Sequence, residues 1–288
     1  MAEPKGSVQN QRMDTASGEL PSGSSLTTKE LQQNWRAVKR KEQHIKLLFD
    51  IPSARIIEQP LSKHVLYEIV LMLSGSFDSL RVTVERRYSD FCRLHHSLQE
   101  EFSEELEEVL LPRKLLTGNF RPENICERRM ALRDYLAQLH SVRCVRHSPH
   151  FSDFFTAHER KQGHVLLRAG RFRAAQEQLR TVLAIQEKLL PWQTPTLLVP
   201  TLCALAVCHR DLDECEEAIA AAHRALPPVR RYGVQRYRAP LLELLVDVGY
   251  QLGRPVAQLQ DELTALRDAQ RGEVSYCSLK EVVIHEFL

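Results

Sequence analysis

Arg87 and Tyr88 are the residues of this chain best suited to chemistry, because they stand side by side where a strand-like run meets a helix-like run. A guanidinium offers a planar fork of donors that matches phosphate, and a phenol ring offers a flat apolar face to a sugar-like ring. Two more cations stand at useful places. Lys114 closes the Pro-containing turn Leu111-Pro112-Arg113-Lys114, and Arg128 lies in the opening of an apolar-periodic helix. A headgroup carrying both phosphate and a ring is the ligand class such a set would take. A plainer use of the same residues is a set of surface Arg–Glu pairs, since Glu85 and Glu127 are close in sequence.

The elements around them must do the positioning. Leu80, Val82 and Val84 alternate with Arg81, Thr83 and Glu85, the period of a half-buried strand, while Phe91, Leu94, Leu98 and Phe102 form a helical stripe. Neighbouring side chains on a strand point to opposite faces, so Arg86 is expected to turn away from Arg87 and to be structural. Upstream, Ile45, Leu47, Phe49 and Ile51 alternate, then Val65, Tyr67, Ile69, Leu71 and Leu73, with turn chemistry at Ser74–Asp78. Three antiparallel strands followed by helices predict an α+β domain. The acidic cluster Glu100–Glu108 reads as a solvated face of the first helix. A second helix is expected from Pro122 to about Leu139, carrying Ile125, Leu132, Leu136 and Leu139 inward. A short closing helix begins at Ser148-Pro149 and includes Phe151, Phe154 and Phe155.

Beyond residue 157 the strand signal stops and helical runs recur. Turns at Gly170, Asp213 and Gly253, roughly 40 residues apart, each precede small residues, which predicts about three stacked helical pairs. Gly163, Gly170, Phe172 and Ala175 have the spacing of the tetratricopeptide pattern, where small residues let two helices approach. Arg230-Arg231-Tyr232 and Arg236-Tyr237-Arg238 read as a basic aromatic patch on an inter-helix loop, either solvated or in contact with a partner. His209-Arg210-Asp211-Leu212 imitates a kinase catalytic loop, but Glu216 stands where that loop needs asparagine, so it reads as a helix-to-turn junction.

Composition narrows the classes. The chain has 288 residues, 43% hydrophobic and 26% charged, with a net charge of +2, so any anion site must be a local concentration of cations. No apolar run approaches the roughly 20 residues that span a bilayer. Residues 1–25 hold no signal-peptide core, and Ala2 excludes the glycine that myristoylation needs. Seven cysteines without a Cys-x-x-Cys pair point to small buried side chains in a reducing cytosol, with neither a disulfide scaffold nor a zinc site expected. The twelve histidines, including His95-His96, His147 and His150, are not expected to sense pH. Residues 1–28 read as a disordered tail. Residues 29–42 read as a basic helical lead-in, which either meets an anionic membrane through Arg36, Lys39, Arg40 and Lys41 or packs on the first domain. No catalytic constellation emerges, so no enzyme and no cofactor are expected.

The strand-end Arg-Tyr, the Pro-x-Lys turn and the helix-start Arg are similar, in order and spacing, to the phosphoinositide site of PX domains, the module of the sorting nexins. The resemblance covers roughly residues 43–157. With the stretches at 27–33, 208–213 and 278–281, the chain as a whole resembles the small PX-PXB sorting nexins. This resemblance implies a PX domain at 43–157 followed by an all-α, tetratricopeptide-like PXB domain at 158–288. It also implies phosphatidylinositol 3-phosphate as ligand. Arg87 would hold the 3-phosphate, Tyr88 would pack on the inositol, Lys114 would meet the 1-phosphate and Arg128 the 4- and 5-hydroxyls. Leu115 and Leu116, helped by Phe120, would either dip into the membrane or cap the domain core. A cytoplasmic, peripheral protein of early endosome membranes follows, with plasma membrane and nucleus left open, and with a cargo's cytoplasmic tail on the helical domain. The alternative is a lipid-silent protein-interaction scaffold. A nucleic-acid reading, led by Arg36–Lys41, is opposed by the near-neutral charge.

Overall fold

The computed structural model describes residues 46–74, 81–115, 117–269 and 277–286. The tail and lead-in at 1–42, Ile45, the turn residues 75–78, Leu80 and Leu116 lie outside the described residues. Strands β1 (Leu47–Gln59), β2 (Ser62–Leu73) and β3 (Val82–Arg87) form the expected antiparallel sheet in the order β1-β2-β3. Alternation buries Leu47, Phe49, Ile51, Tyr67, Ile69, Leu71, Val82 and Val84 on one side, because successive side chains point to opposite faces. β1 runs further than its apolar alternation predicts. A bulge between Asp50 and Ser53 shifts its register, and residues 54–59 then pair with 62–67 in a hairpin arm that is mostly exposed. That arm is held by backbone pairing and by cross-strand contacts such as Lys63–Glu58, and on its β1 side residues 54–59 carry no apolar alternation to read.

Helix α1 (Tyr88–Glu101) buries Phe91, Leu94 and Leu98, and α2 (Pro122–Ser141) buries Leu132, Leu136 and Leu139, as their stripes predict. α1 stops at Glu101, so Ser103–Glu108 lies in turns rather than on the helix; its carboxylates are nonetheless exposed. A five-residue helix, α3 (Arg143–His147), leads to α4 (Pro149–Arg168). The expected short closing helix is in fact this 20-residue α4. Its first half sends Phe151, Phe154 and Phe155 into the core under the sheet, and its second half sends Leu167 into the helical core. The helix therefore runs through residue 157 without a break. Pro149 at its first turn and the Ser148 Oγ, which accepts from the His150 N–H at 3.2 Å, explain where it starts.

Three helical hairpins follow one another: α4 with α5 (Phe172–Leu189), α6 (Val199–Asp211) with α7 (Cys215–Tyr232), and α8 (Gln235–Gln251) with α9 (Ala257–Ala269). A short helix, α10 (Leu279–His285), comes last among the described residues. The turns predicted at Gly170, Asp213 and Gly253 all adopt positive φ, at 70°, 61° and 62°. Glycine reaches that conformation freely, while Asp213 does so at the cost of Cβ crowding. Gly163 allows the close approach its spacing suggests, since a Cβ there would meet the Leu179 side chain at 3.0 Å. The sheet domain and the array are not separate bodies. Ile185, Leu189 and Trp192 pack into the sheet's core, Trp192 lies edge-on to His140 at 4.5 Å, and His44–Leu288 forms one compact unit.

The basic patch at 230–238 differs from the expected loop. Arg230–Tyr232 ends α7 and Arg236–Arg238 begins α8, so only Gly233 and Val234 turn. Arg230 and Arg238 share Glu262, which removes them from the pool of free cations. Of the cysteines, only Cys203 and Cys208 are buried, and all seven are free thiols. The junction at His209–Leu212 is a helix end, with His209 Nδ1 held 2.7 Å from Glu214. No helix among the described residues is long and apolar enough to cross a membrane, and no His, Cys, Asp or Glu group there could hold a metal ion.

Candidate functional site

β3 ends at Arg87, which is extended (φ −85°, ψ 159°), and α1 begins at Tyr88. The Asp90 carboxylate fixes this junction by accepting the Arg87 main-chain N–H at 2.7 Å and by pairing with Arg93. Register then separates the two arginines. Arg86 lies opposite Tyr67 on the core side, and Arg87 opposite Leu66 on the outer side. Arg86 is buried in a forked pair with Glu159, both N–O distances 2.7 Å, and its Nε donates to the Phe154 carbonyl at 2.5 Å. The expectation that Arg86 is structural is met: it fastens β3 to α4.

Arg87 is exposed, and its guanidinium makes no ion pair or hydrogen bond among the described residues. Glu85, the neighbour that might have taken it, is held by Arg55 through two bonds of 2.8 and 2.7 Å, which keep the Glu85 carboxyl below the usual carboxylate range. Lys114 is likewise exposed and unpaired, as is the neighbouring Arg113. Surface Arg–Glu pairing therefore does not account for these cations.

Tyr88 and Arg128 come together between them. The Tyr88 hydroxyl donates to the Pro112 carbonyl, which ties α1 to the turn carrying Lys114. Burial, then the nearby Cys92, pushes the Tyr88 phenol up to about 12, so it stays a neutral donor. Arg128 lies with its guanidinium 5.1 Å from the centre of the Tyr88 ring, and Tyr88 is half-buried against the sheet core. Arg128 is 8% exposed, yet it meets only neutral polar groups, the Asn119 Oδ1 at 2.9 Å and the Tyr67 hydroxyl, and no carboxylate pairs with it among the described residues. A buried cation without a counter-ion is costly unless the site exists to meet something electron-rich. The same guanidinium offsets part of the rise that burial imposes on the Tyr67 hydroxyl.

Asn119 is a site residue that sequence reasoning missed. It receives Arg128 and donates from Nδ2 to the Leu115 carbonyl at 2.7 Å, while Asn124 donates to the Gly118 carbonyl at 2.8 Å. The loop before α2 is thus laced to the helix that carries Arg128. The Gly118-Asn119 dipeptide, with Gly118 at φ 73°, was the available signal for this turn. Leu61 was missed as well. It stands fully exposed at the tip of the β1–β2 arm, two residues before Lys63, whose ammonium lies 5.2 Å from the Phe120 ring. Leu61, Leu115 and Phe120 are all exposed, so Leu115 and Phe120 do not cap the core, and the Lys63 contact brings the arm to the Phe120 loop.

No direct polar contact joins Arg87 or Lys114 to the Tyr88–Arg128 pair. Arg87 also borders a groove of about 1080 Å³ between β3, α1, α4 and α5. That groove is lined by charges of both signs, including Arg93, Lys161, Asp90 and Asp153, and not by Tyr88, Lys114 or Arg128. Mixed charge makes it a poor anion site.

A family model described as PX domain matches residues 75–158, the span from the end of β2 into α4. Sorting nexin-20 of Bos taurus is 46% identical over 95% of this chain and 86% of its own length. Sorting nexin-20 of Rattus norvegicus is 46% identical over 93% and 85%. Sorting nexin-21 of Homo sapiens is 34% identical over 92% of this chain and 71% of its own length.

Proposed function

Because this chain belongs to the sorting nexins and carries a PX domain, we propose that it is a peripheral membrane adaptor that reads phosphatidylinositol 3-phosphate on early endosomes. Arg87 takes the 3-phosphate through its free fork, Lys114 takes the 1-phosphate, the Tyr88 ring packs on the inositol, and Arg128 donates to the 4- and 5-hydroxyls. The observation that supports this most directly is the pairing state of the cations. Arg87 and Lys114 are unpaired, Arg87 despite the adjacent Glu85 and Asp90, and Arg128 is buried against an amide, a ring and the Tyr67 hydroxyl with no carboxylate among the described residues.

Charge-assisted hydrogen bonds contribute about 1.5–3 kcal/mol each, so three such cations supply about 4.5–9 kcal/mol before ordering costs, and the net affinity is micromolar or weaker. One contact of that strength is reversible. Leu61, Leu115 and Phe120 supply a second by entering the interface beside the headgroup, and Arg113 adds attraction to an anionic leaflet. The helical array engages a protein partner such as a receptor's cytoplasmic tail, and two simultaneous contacts raise avidity above either alone. Because the array is packed on the sheet domain, lipid and partner are held at a defined separation.

Flotation of the purified chain with liposomes bearing each phosphoinositide tests the lipid reading. Capture on 3-phosphate liposomes is expected, with at least a tenfold loss in Arg87→Ala. Equal capture on every anionic lipid, unchanged by the substitution, would leave a lipid-silent scaffold held by diffuse charge.

A further inference from the structure

The first helices of the three hairpins, α4, α6 and α8, share one face of the array, and α10 lies against all three. Its contacts are of two kinds. Leu279 and Val283, one helical turn apart, are completely buried, and Val282 and Ile284 pack at the margins. Polar clamps hold the two ends. Lys280 pairs with Asp211 at the end of α6 at 2.5 Å and sits 4.7 Å from the centre of the Phe172 ring. Glu286 is gripped at the start of α8 by Arg236, at 2.5 Å, and by the Tyr237 hydroxyl. Because α6 ends where α8's far end lies, the two clamps set the direction in which a helix fits the groove.

A seven-residue helix has no stability of its own in water. What holds α10 is this groove, and the groove reads a short pattern: two apolar residues four apart, a cation after the first and an acid three residues after the second. We propose that this face is a docking groove for an amphipathic helix of that pattern on another protein, and that α10 is its occupant in cis, displaced when the partner binds. The inference rests on reading the array as a partner scaffold. It adds which face is used, what chemistry the partner carries, and that the chain's own segment competes for it.

Tethering makes the cis copy effectively concentrated, in the millimolar range for a short linker. The test therefore weakens it in the full-length chain with Leu279→Asp and Val283→Asp, and probes with a fluorescein-labelled peptide of wild-type sequence 277–286. The altered chain should bind this probe at least tenfold more tightly than the wild-type chain does. A probe carrying Glu286→Arg should lose that gain. Equal weak binding to both chains overturns the proposal. Should the double substitution collapse the array, seen as lost helicity by circular dichroism, hydrogen exchange on the wild-type chain decides. The α10 amides should exchange at least 100-fold faster than those of α6, and faster still with excess probe. Exchange of α10 at the rate of α6 would make it a permanent part of the fold and overturn the groove. The scaffold reading would then pass to the opposite face, formed by α5, α7 and α9, and liposome flotation of the same samples reports the lipid reading separately.

Discussion

Alanine at Arg86 and at Arg87, introduced one at a time, should produce opposite defects from adjacent positions. Arg86 is buried with Glu159, their side chains 5% and 14% exposed, and makes a forked ion pair plus a bond to the Phe154 carbonyl. Breaking a buried pair by removing one partner costs about 3–5 kcal/mol, because the other charge stays desolvated. For a chain of this size each kcal/mol lowers Tm by about 2–4 °C, so Arg86→Ala should melt roughly 6–20 °C early. Glu159→Gln should fall similarly, and Arg86→Met with Glu159→Leu should recover much of the loss, since no lone charge remains. Arg87 has no partner to orphan, so Arg87→Ala should stay within about 0.5 kcal/mol of wild type by the same melt. Its loss appears instead in liposome flotation: forfeiting a charge contact of about 2–5 kcal/mol weakens binding by a factor of roughly 30 or more. Calorimetry and flotation on the three single variants make the comparison. Early melting of Arg87→Ala, or loss of lipid capture by a folded Arg86→Ala with Arg87→Ala unaffected, would refute the assignment of the two faces.

The remaining expectations concern acid stability, a turn and the exposed apolar side chains. Burial, with help from Arg146 in one case and Arg160 and Arg168 in the other, lowers His140 and His164 from the ordinary 6.5 to about 4. The unfolded chain takes up these protons near pH 6.5 and the folded chain only near 4. Stability from this source is therefore complete above about pH 6.5 and lost as pH falls towards 4, roughly 3 kcal/mol per histidine. Urea titrations at stepped pH should show the decline, and His164→Gln should flatten part of it. Gly170→Ala should cost about 1–2 kcal/mol in thermal melts, from backbone conformation alone, since a Cβ there meets nothing within 4 Å at φ 70°. Leu61→Ser and Phe120→Ser should leave Tm unchanged, yet each should weaken retention on 3-phosphate liposomes by about 1 kcal/mol, roughly fivefold. Unaltered retention would remove these side chains from the membrane contact.

Much of this protein is decided by short-range pattern, and that part is legible in the chain. Period-two alternation at 65–73 and 82–84 and period-3.6 stripes at 91–102 and 132–139 set element type, because side-chain direction follows backbone geometry within a few residues. The opposite facing of Arg86 and Arg87 follows from the same rule. The turns at Gly170, Asp213 and Gly253 follow from local conformational preference. Tertiary structure decided what each charged group meets. Glu85 is taken by Arg55, 30 residues away, which leaves Arg87 free, and Arg86 finds Glu159, 73 residues away. Only the folded loop brings Asn119 to Arg128 and Arg128 to Tyr88, and only the hairpin arm carries Lys63 to Phe120. The length of α4 and the seat of α10 were hidden for the same reason. Each is settled by burial against elements distant in sequence, and local propensity carries no information about which distant surface a segment will cover.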